Sequence, residues 1–279
     1  VESILKRYGL EAEVTYGLML KKVEMINPQI KLMSHQKEAL ESWILANNRG
    51  TVVIPTGGGK THVALAAIAE LKLPAIILVP NKWLLMQWRD RISFFLGIPK
   101  GMIGILGGGE KKLRDITVST YQSAYKYIEE IVDKFPLAIF DEAHHVPART
   151  FKNIALYLRA IYRMALSATP KRRDRNEALL FKLVGDIVYQ TGLRELVEKG
   201  ILAPLAVRKI YVDLPAALLL KYRQIERLMY RSKTEFEKRK YLNKLIEIAR
   251  DNPIKIKVIK DIVKKHKEEK IFVFSGSIK

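Results

Sequence analysis

Two hundred and seventy-nine residues, 48% hydrophobic and 28% charged, suffice for about two globular domains of ordinary size. The absence of cysteine excludes disulfides, Cys-ligated zinc and iron–sulfur clusters, and no apolar run approaches the ~20 residues of a bilayer span. Forty-nine Lys and Arg against 29 Asp and Glu leave a net charge of +20, which attracts polyanions, nucleic acid first among them. The opening residues VESILKRYGL have no signal-peptide pattern, so a cytoplasmic protein away from membranes is expected, nucleoid-associated if the source is prokaryotic or archaeal.

Between residues 51 and 170, short apolar runs alternate with helical patterns. TVVI (51–54), AIILVP (75–80), ITVST (116–120), LAIFD (137–141) and MALSAT (164–169) are continuous rather than alternating, as in strands buried on both faces. KTHVALAAIAEL (60–71) and KWLLMQWRDRISFF (82–95) read as the helices between them. Such alternation predicts an α/β fold, a parallel sheet with helices on both faces and its ligands at the carboxyl ends of the strands.

Past Pro170 the pattern changes. KRRDR (171–175) is a charged break, and residues 216–250 read as a basic helical hairpin. Leu218, Tyr222, Ile225 and Met229 share one face of its first helix; Leu242, Leu245, Ile246 and Ala249 share a face of its second. Asn252–Pro253 ends the hairpin. An amphipathic helix over 254–268 then leads to a predicted strand, IFVFS (271–275). Residues 218–279 hold 18 basic and 8 acidic residues, half of the net charge in under a quarter of the chain.

Three motifs carry chemistry. IPTGGGKT (54–61) lies between a strand and a helix, the setting of a phosphate-binding loop. Gly57, Gly58 and Gly59 let backbone N–H groups converge on phosphate, next to a helix N-terminus. Thr56 belongs to the same loop, Lys60 supplies a charge for the outer phosphates, and the Thr61 hydroxyl suits magnesium. The strict pattern has Gly where this chain has Ile54. LAIFDEAHH (137–145) ends a strand in two carboxylates: Asp141 to hold magnesium through water, Glu142 to orient or deprotonate the attacking water. A zinc reading of His144 and His145 fails for want of further ligands. SATP (167–170) places the short hydroxyls of Ser167 and Thr169 at a third strand end, where with His144 they would couple nucleotide state to the rest of the chain.

In this order and spacing the motifs resemble superfamily 2 helicases and translocases, whose motor is a pair of RecA-like lobes. The resemblance implies ATP and Mg²⁺ as cofactors and duplex or single-stranded DNA as partner. LMSHQKEAL (32–40) resembles the family segment in which Gln36 would read adenine, with Met33 and His35 where Arg and Tyr are usual. ILVPNKWLLMQW (77–88) and TVSTYQS (117–123) resemble its nucleic-acid motifs, implying strand contacts by Asn81, Lys82, Gln87, Ser119, Thr120 and Gln122. ILGGGEKK (105–112) is either a further backbone-contacting loop or a simple turn. DEAHHVPARTF, LRELVEKGILAP (193–204) and the tripeptide after SATPK resemble the XPB-like branch. That branch carries Arg-Glu-Asp where Arg172, Arg173 and Asp174 stand here; the reversed middle charge suits phosphate contact better than strand opening.

The expected organisation is a lead-in (1–31), a RecA-like ATP-binding lobe (32–204), a linker with a thumb-like hairpin (205–252), and the start of a second RecA-like lobe (253–279). On this reading the chain is a fragment of a DNA motor acting in repair or transcription-linked opening. It would bind ATP and nucleic acid but lack the second-lobe arginines needed for fast hydrolysis, and a nuclease or a transcription or repair factor is a possible partner. The alternatives are a P-loop ATPase that remodels a protein partner and a non-catalytic nucleic-acid-binding fragment.

Overall fold

The computed structural model describes residues 22–142, 148–168, 177–204 and 206–274. The chain divides into two compact units, with the boundary between Pro204 and Leu205.

The first unit is built on an eight-stranded sheet in the order β4-β3-β5-β2-β6-β7-β1-β8. The strands are β1 (Arg49–Val53), β2 (Ala75–Val79), β3 (Gly104–Gly107), β4 (Glu110–Lys112), β5 (Ile116–Thr120), β6 (Leu137–Asp141), β7 (Tyr162–Ser167) and β8 (Ile187–Gln190). All pairings are parallel except β3 with β4, which makes the sheet mixed rather than purely parallel. The GGG segment explains the exception. Gly107, Gly108 and Gly109 have φ of +146°, +63° and +96°, a left-handed run that only glycine adopts freely, and it turns the chain straight back. ILGGGEKK is therefore a hairpin at the sheet edge.

Every residue of β2, β5 and β6 is buried. Alternate side chains serve opposite faces. Ile77, Val79 and Ile139 join Trp43, Val63, Ile68, Trp88 and Ile92 from the helices Ser34–Leu45, Lys60–Leu71 and Lys82–Leu96. Ile76, Leu78, Ala138 and Phe140 join Ile154, Leu158 and Val184 on the other face. Full burial of each large aliphatic or aromatic side chain contributes about 1.5–3 kcal/mol, and two such faces explain why the runs read as continuous.

A buried guanidinium ties one flank together. Arg163 on β7 donates to the backbone carbonyls of Ala155, Leu158, Ala160 and Leu183 at 2.7–3.0 Å, and Arg49 donates to Leu183 and Val184. Burial, with Arg49 nearby, lowers the Arg163 pKa to about 10, which leaves it charged at neutral pH. Apart from that of Ala160, these carbonyls lie at or just past helix C-termini, where cations are favoured.

The second unit holds the helices Ala216–Arg231, Glu235–Arg250 and Pro253–Lys265. Thr234 caps the second helix by accepting from the Glu237 amide, and buried Asn252 caps the third while donating to the Asp213 carbonyl at 2.9 Å. The expected face of the first helix is confirmed: Leu218, Tyr222, Ile225 and Met229 are all half-buried. That of the second is rotated. Leu245 is buried and Tyr241, Ile248 and Ala249 are half-buried, but Leu242 and Ile246 point outward. Residues 271–274 form no strand, against the expectation from IFVFS; among the described residues no neighbouring strand offers their backbone groups a ladder, and Phe272 and Phe274 are exposed.

Candidate functional site

Three strand ends meet at the carboxyl edge of the sheet. The β1 end continues into the glycine loop, β6 ends in Asp141, and β7 ends in Ser167. Backbone bonds stitch them together: the Ile54 amide donates to the Ser167 carbonyl at 3.1 Å, and the Glu142 amide to the Leu166 carbonyl at 3.2 Å. Parallel register across β6, β7 and β1 thus places residues from positions 54, 141 and 167 side by side. Buried Ser167 sits there, as the motif order implied.

The loop's shape depends on its glycines. Gly57 and Gly59 have φ of +87° and +86°, and a Cβ on Gly59 would collide with the Gln36 amide. Helix Lys60–Leu71 starts directly after Gly59, so its first amides open onto the loop. Lys60, only 9% exposed, donates to the Ile54 carbonyl at 3.1 Å and lies 3.7 Å from the Glu142 carboxylate. Asp141 is also buried, and its Oδ2 accepts the Trp88 indole N–H at 2.7 Å. The Tyr121 hydroxyl donates to its backbone carbonyl. Burial pushes the Asp141 carboxyl up to about 6; the Trp88 bond opposes the rise, Glu142 adds to it and Lys60 opposes it. Glu142 has φ of +48°, unusual for a residue with a Cβ, and this turns the chain sharply after the buried strand.

Lys60, Asp141 and Glu142 line one cavity of about 400 Å³ with Thr56, Gly57, Gly59, Thr61, Gln87 and Arg91. The polar groups suit a magnesium polyphosphate: backbone amides, one ammonium, one guanidinium, two hydroxyls and two carboxylates. Among the described residues no cluster of three His, Asp or Glu could hold a metal by itself. Thr61 and Asp141 would share the ion with phosphate oxygens, as magnesium commonly requires.

The other expected residues fall into place differently. Gln36 is buried and bonded within the protein: its carbonyl accepts the Met33 amide and its amide donates to the Gly58 carbonyl at 3.2 Å. Asn81 caps helix Lys82–Leu96 by accepting from the Leu84 amide, and Lys82 reaches the Gly108 carbonyl at 3.1 Å. Ser119 is buried and bonds the Leu106 carbonyl; Thr120 caps helix Tyr121–Lys126; Gln122 is exposed. Gln87 lines the glycine-loop cavity. His144, Thr169, Arg172, Arg173 and Asp174 lie outside the described residues.

Four residues escaped sequence reasoning. Fully buried His35 meets the Gly58 carbonyl at 2.7 Å through Nε2, which must carry the proton because a carbonyl only accepts. Trp88 holds Asp141, and Arg91 donates to the Thr61 hydroxyl at 2.6 Å. His62 packs edge-on against Phe95, and its pKa is lowered by burial and then by Arg91, which keeps it neutral. Only the one-face spacing of Gln87 and Arg91, four residues apart on a helix, could have signalled any of this.

The profile of the family described as the type III restriction enzyme res subunit matches residues 29–172, more than half of the chain. The chain belongs to this helicase family. Within superfamily 2 it is XPB-like. It is 37% identical over 275 residues to the DNA 3'-5' translocase XPB2 of Sulfurisphaera tokodaii, covering 90% of this chain and 62% of that protein. It is 29% identical over 287 residues to the DNA 3'-5' helicase XPB of Mycobacterium tuberculosis, covering 99% and 49%. The crystal structure of the UvsW helicase from bacteriophage T4 shares the fold, with a TM-score of 0.51, 20% identity, and coverage of 67% of this chain and 76% of that one. The chain thus spans about half the length of the curated relatives it matches. These relatives give no support to the protein-remodelling alternative.

Proposed function

We propose that residues 32–204 are the ATP-binding lobe of an XPB-like, ATP-dependent DNA translocase or helicase, with Mg²⁺ as its metal and DNA repair or transcription-linked opening as its setting. The observation that carries this reading is the stitching of three strand ends that puts Lys60, Thr61, Asp141 and Glu142 around one cavity. Lys60 would bind the outer phosphates and Glu142 would accept the proton of the attacking water; bound magnesium would neutralise phosphate charge. Asn81, Lys82, Gln87, Ser119, Thr120 and Gln122 would lie along the face that meets nucleic acid. Arg172, Arg173 and Asp174 belong to the same proposed contact, and His144, Ser167 and Thr169 to the coupling between the two sites. The segment 205–252 would act as a basic thumb, and 253–279 would begin a second lobe whose arginines complete hydrolysis. The names of the relatives, and no helix among the described residues long and apolar enough to cross a membrane, support a DNA-bound protein of the cytoplasm or nucleoid. A nuclease or repair factor is the class of protein partner this setting implies.

The test is ATP hydrolysis with and without duplex DNA, on this chain and on a chain extended to the length of its relatives. The expected result is DNA-stimulated turnover in the extended protein and slow turnover here. Equal, robust turnover by this chain alone would overturn the two-lobe reading. Lys60→Ala should reduce ATP binding at least 100-fold while sparing DNA binding, measured by calorimetry and by anisotropy of labelled duplex.

A further inference from the structure

Arg91 has no role in the reading above, yet it lies among that site's central groups. It sits on helix Lys82–Leu96, one of three residues at four-residue intervals, Trp83, Gln87 and Arg91, that line the phosphate-loop cavity. Its guanidinium donates to the Thr61 hydroxyl at 2.6 Å. The nearest acid in sequence, Asp90, pairs instead with Lys100 at 2.7 Å and Arg89 at 4.0 Å. Among the described residues no carboxylate forms an ion pair with Arg91. A half-buried guanidinium with five donors, lining the cavity and with a neutral hydroxyl as its one side-chain partner among the described residues, is matched to an anion still to come.

The Thr61 bond sharpens this. If Thr61 ligates magnesium, its oxygen would be held against a dication. A guanidinium held against the same oxygen would then face strong like-charge repulsion, and it needs a new acceptor within reach. Phosphate oxygens carrying the opposite charge are the acceptors such a cavity admits, and a planar fork suits them. We infer that Arg91 is a polyphosphate-contacting residue of this site: the donors it does not spend on Thr61 take phosphate oxygens with or without metal, and it yields the Thr61 hydroxyl when magnesium binds there. The inference rests on reading the cavity as a nucleotide site.

The test measures binding of ATP, inorganic tripolyphosphate and adenosine to the intact chain, in magnesium and in EDTA, for wild type, Arg91→Met and Arg91→Lys. Arg91→Met should weaken ATP and tripolyphosphate about tenfold or more in both conditions, the usual range for a lost charge-assisted bond, and leave adenosine unchanged. Arg91→Lys should recover part of the loss, since it restores charge without the fork. Should Arg91→Met melt early, Arg91→Lys and the ratio of tripolyphosphate to adenosine affinity still decide. A loss confined to magnesium would make Arg91 only a support for Thr61 and overturn the inference, as would unchanged ATP affinity. The reading of the cavity fails separately: wild-type ATP binding would then be absent or insensitive to Lys60→Ala.

Discussion

The two units solve the problem of stability in opposite ways. In the sheet unit, whole strands disappear from solvent and two apolar clusters sandwich the sheet. In the helical unit, only Leu245 and Asn252 are buried among the described residues, and order depends on one seam between two helices and on capping side chains. The first design can bear the cost of burying charges such as Lys60, Asp141 and Arg163 where chemistry or topology needs them. The second buries no charge and displays it, which suits a surface that meets a polyanion.

Substituting Arg163 is the strongest way to break that contrast. Arg163→Met takes this donor from the Ala155, Leu158 and Ala160 carbonyls at a buried junction, while Leu183 keeps Arg49, and should destabilise the sheet unit by about 3–5 kcal/mol. Hydrogen exchange should rise across β1 and β7 while the helices 216–265 keep their own protection. Equal loosening of both units would show that their stabilities are not separate.

Asp141 tests the cost of function inside the core. Its folded pKa of about 6 stands above the ordinary aspartate value of 3.8, so the folded state takes up a proton more readily than the unfolded one. That contribution is fully present below pH 3.8 and is lost as pH rises through about 6. Asp141→Asn should therefore stabilise the nucleotide-free protein at pH 7 by about 1–3 kcal/mol, with the gain vanishing near pH 4. Denaturant melts of both proteins at three pH values check the sign.

The smallest expected effect lies in the helical unit. Asn252→Ala removes an N-cap and the bond to Asp213, costing about 1 kcal/mol and fraying helix Pro253–Lys265. Far-ultraviolet circular dichroism should register it while ATP binding stays unchanged.

Much of the sheet unit was legible because its strands are buried on both faces and announce themselves as apolar runs. The helix Lys60–Leu71 was legible to the residue, since a glycine loop and a lysine fix its start. β8 was missed: four residues after Gly185–Asp186, only half-buried, carry too little periodicity to stand out. IFVFS misled for the converse reason, because its composition favours a strand and only a neighbour can make one. The rotated face of Glu235–Arg250 depends on where its partner helix lies, which Leu242 and Ile246 do not disclose. At the site, Lys60, Asp141 and Glu142 were readable from local motifs. Trp88 and Arg91 were not, because their partners lie 53 and 30 residues away in sequence.

The Gly58 carbonyl receives both the His35 ring and the Gln36 amide. A trans peptide is rigid and points its C=O and N–H in opposite directions. Anchoring that oxygen on helix Ser34–Leu45 therefore aims the Gly59 N–H away from the helix as a fixed dipole, set before any anion arrives. A binder prepared in this way has little reorganisation to perform on encounter, so replacing His35 or Gln36 by an apolar residue should show chiefly as a slower association rate.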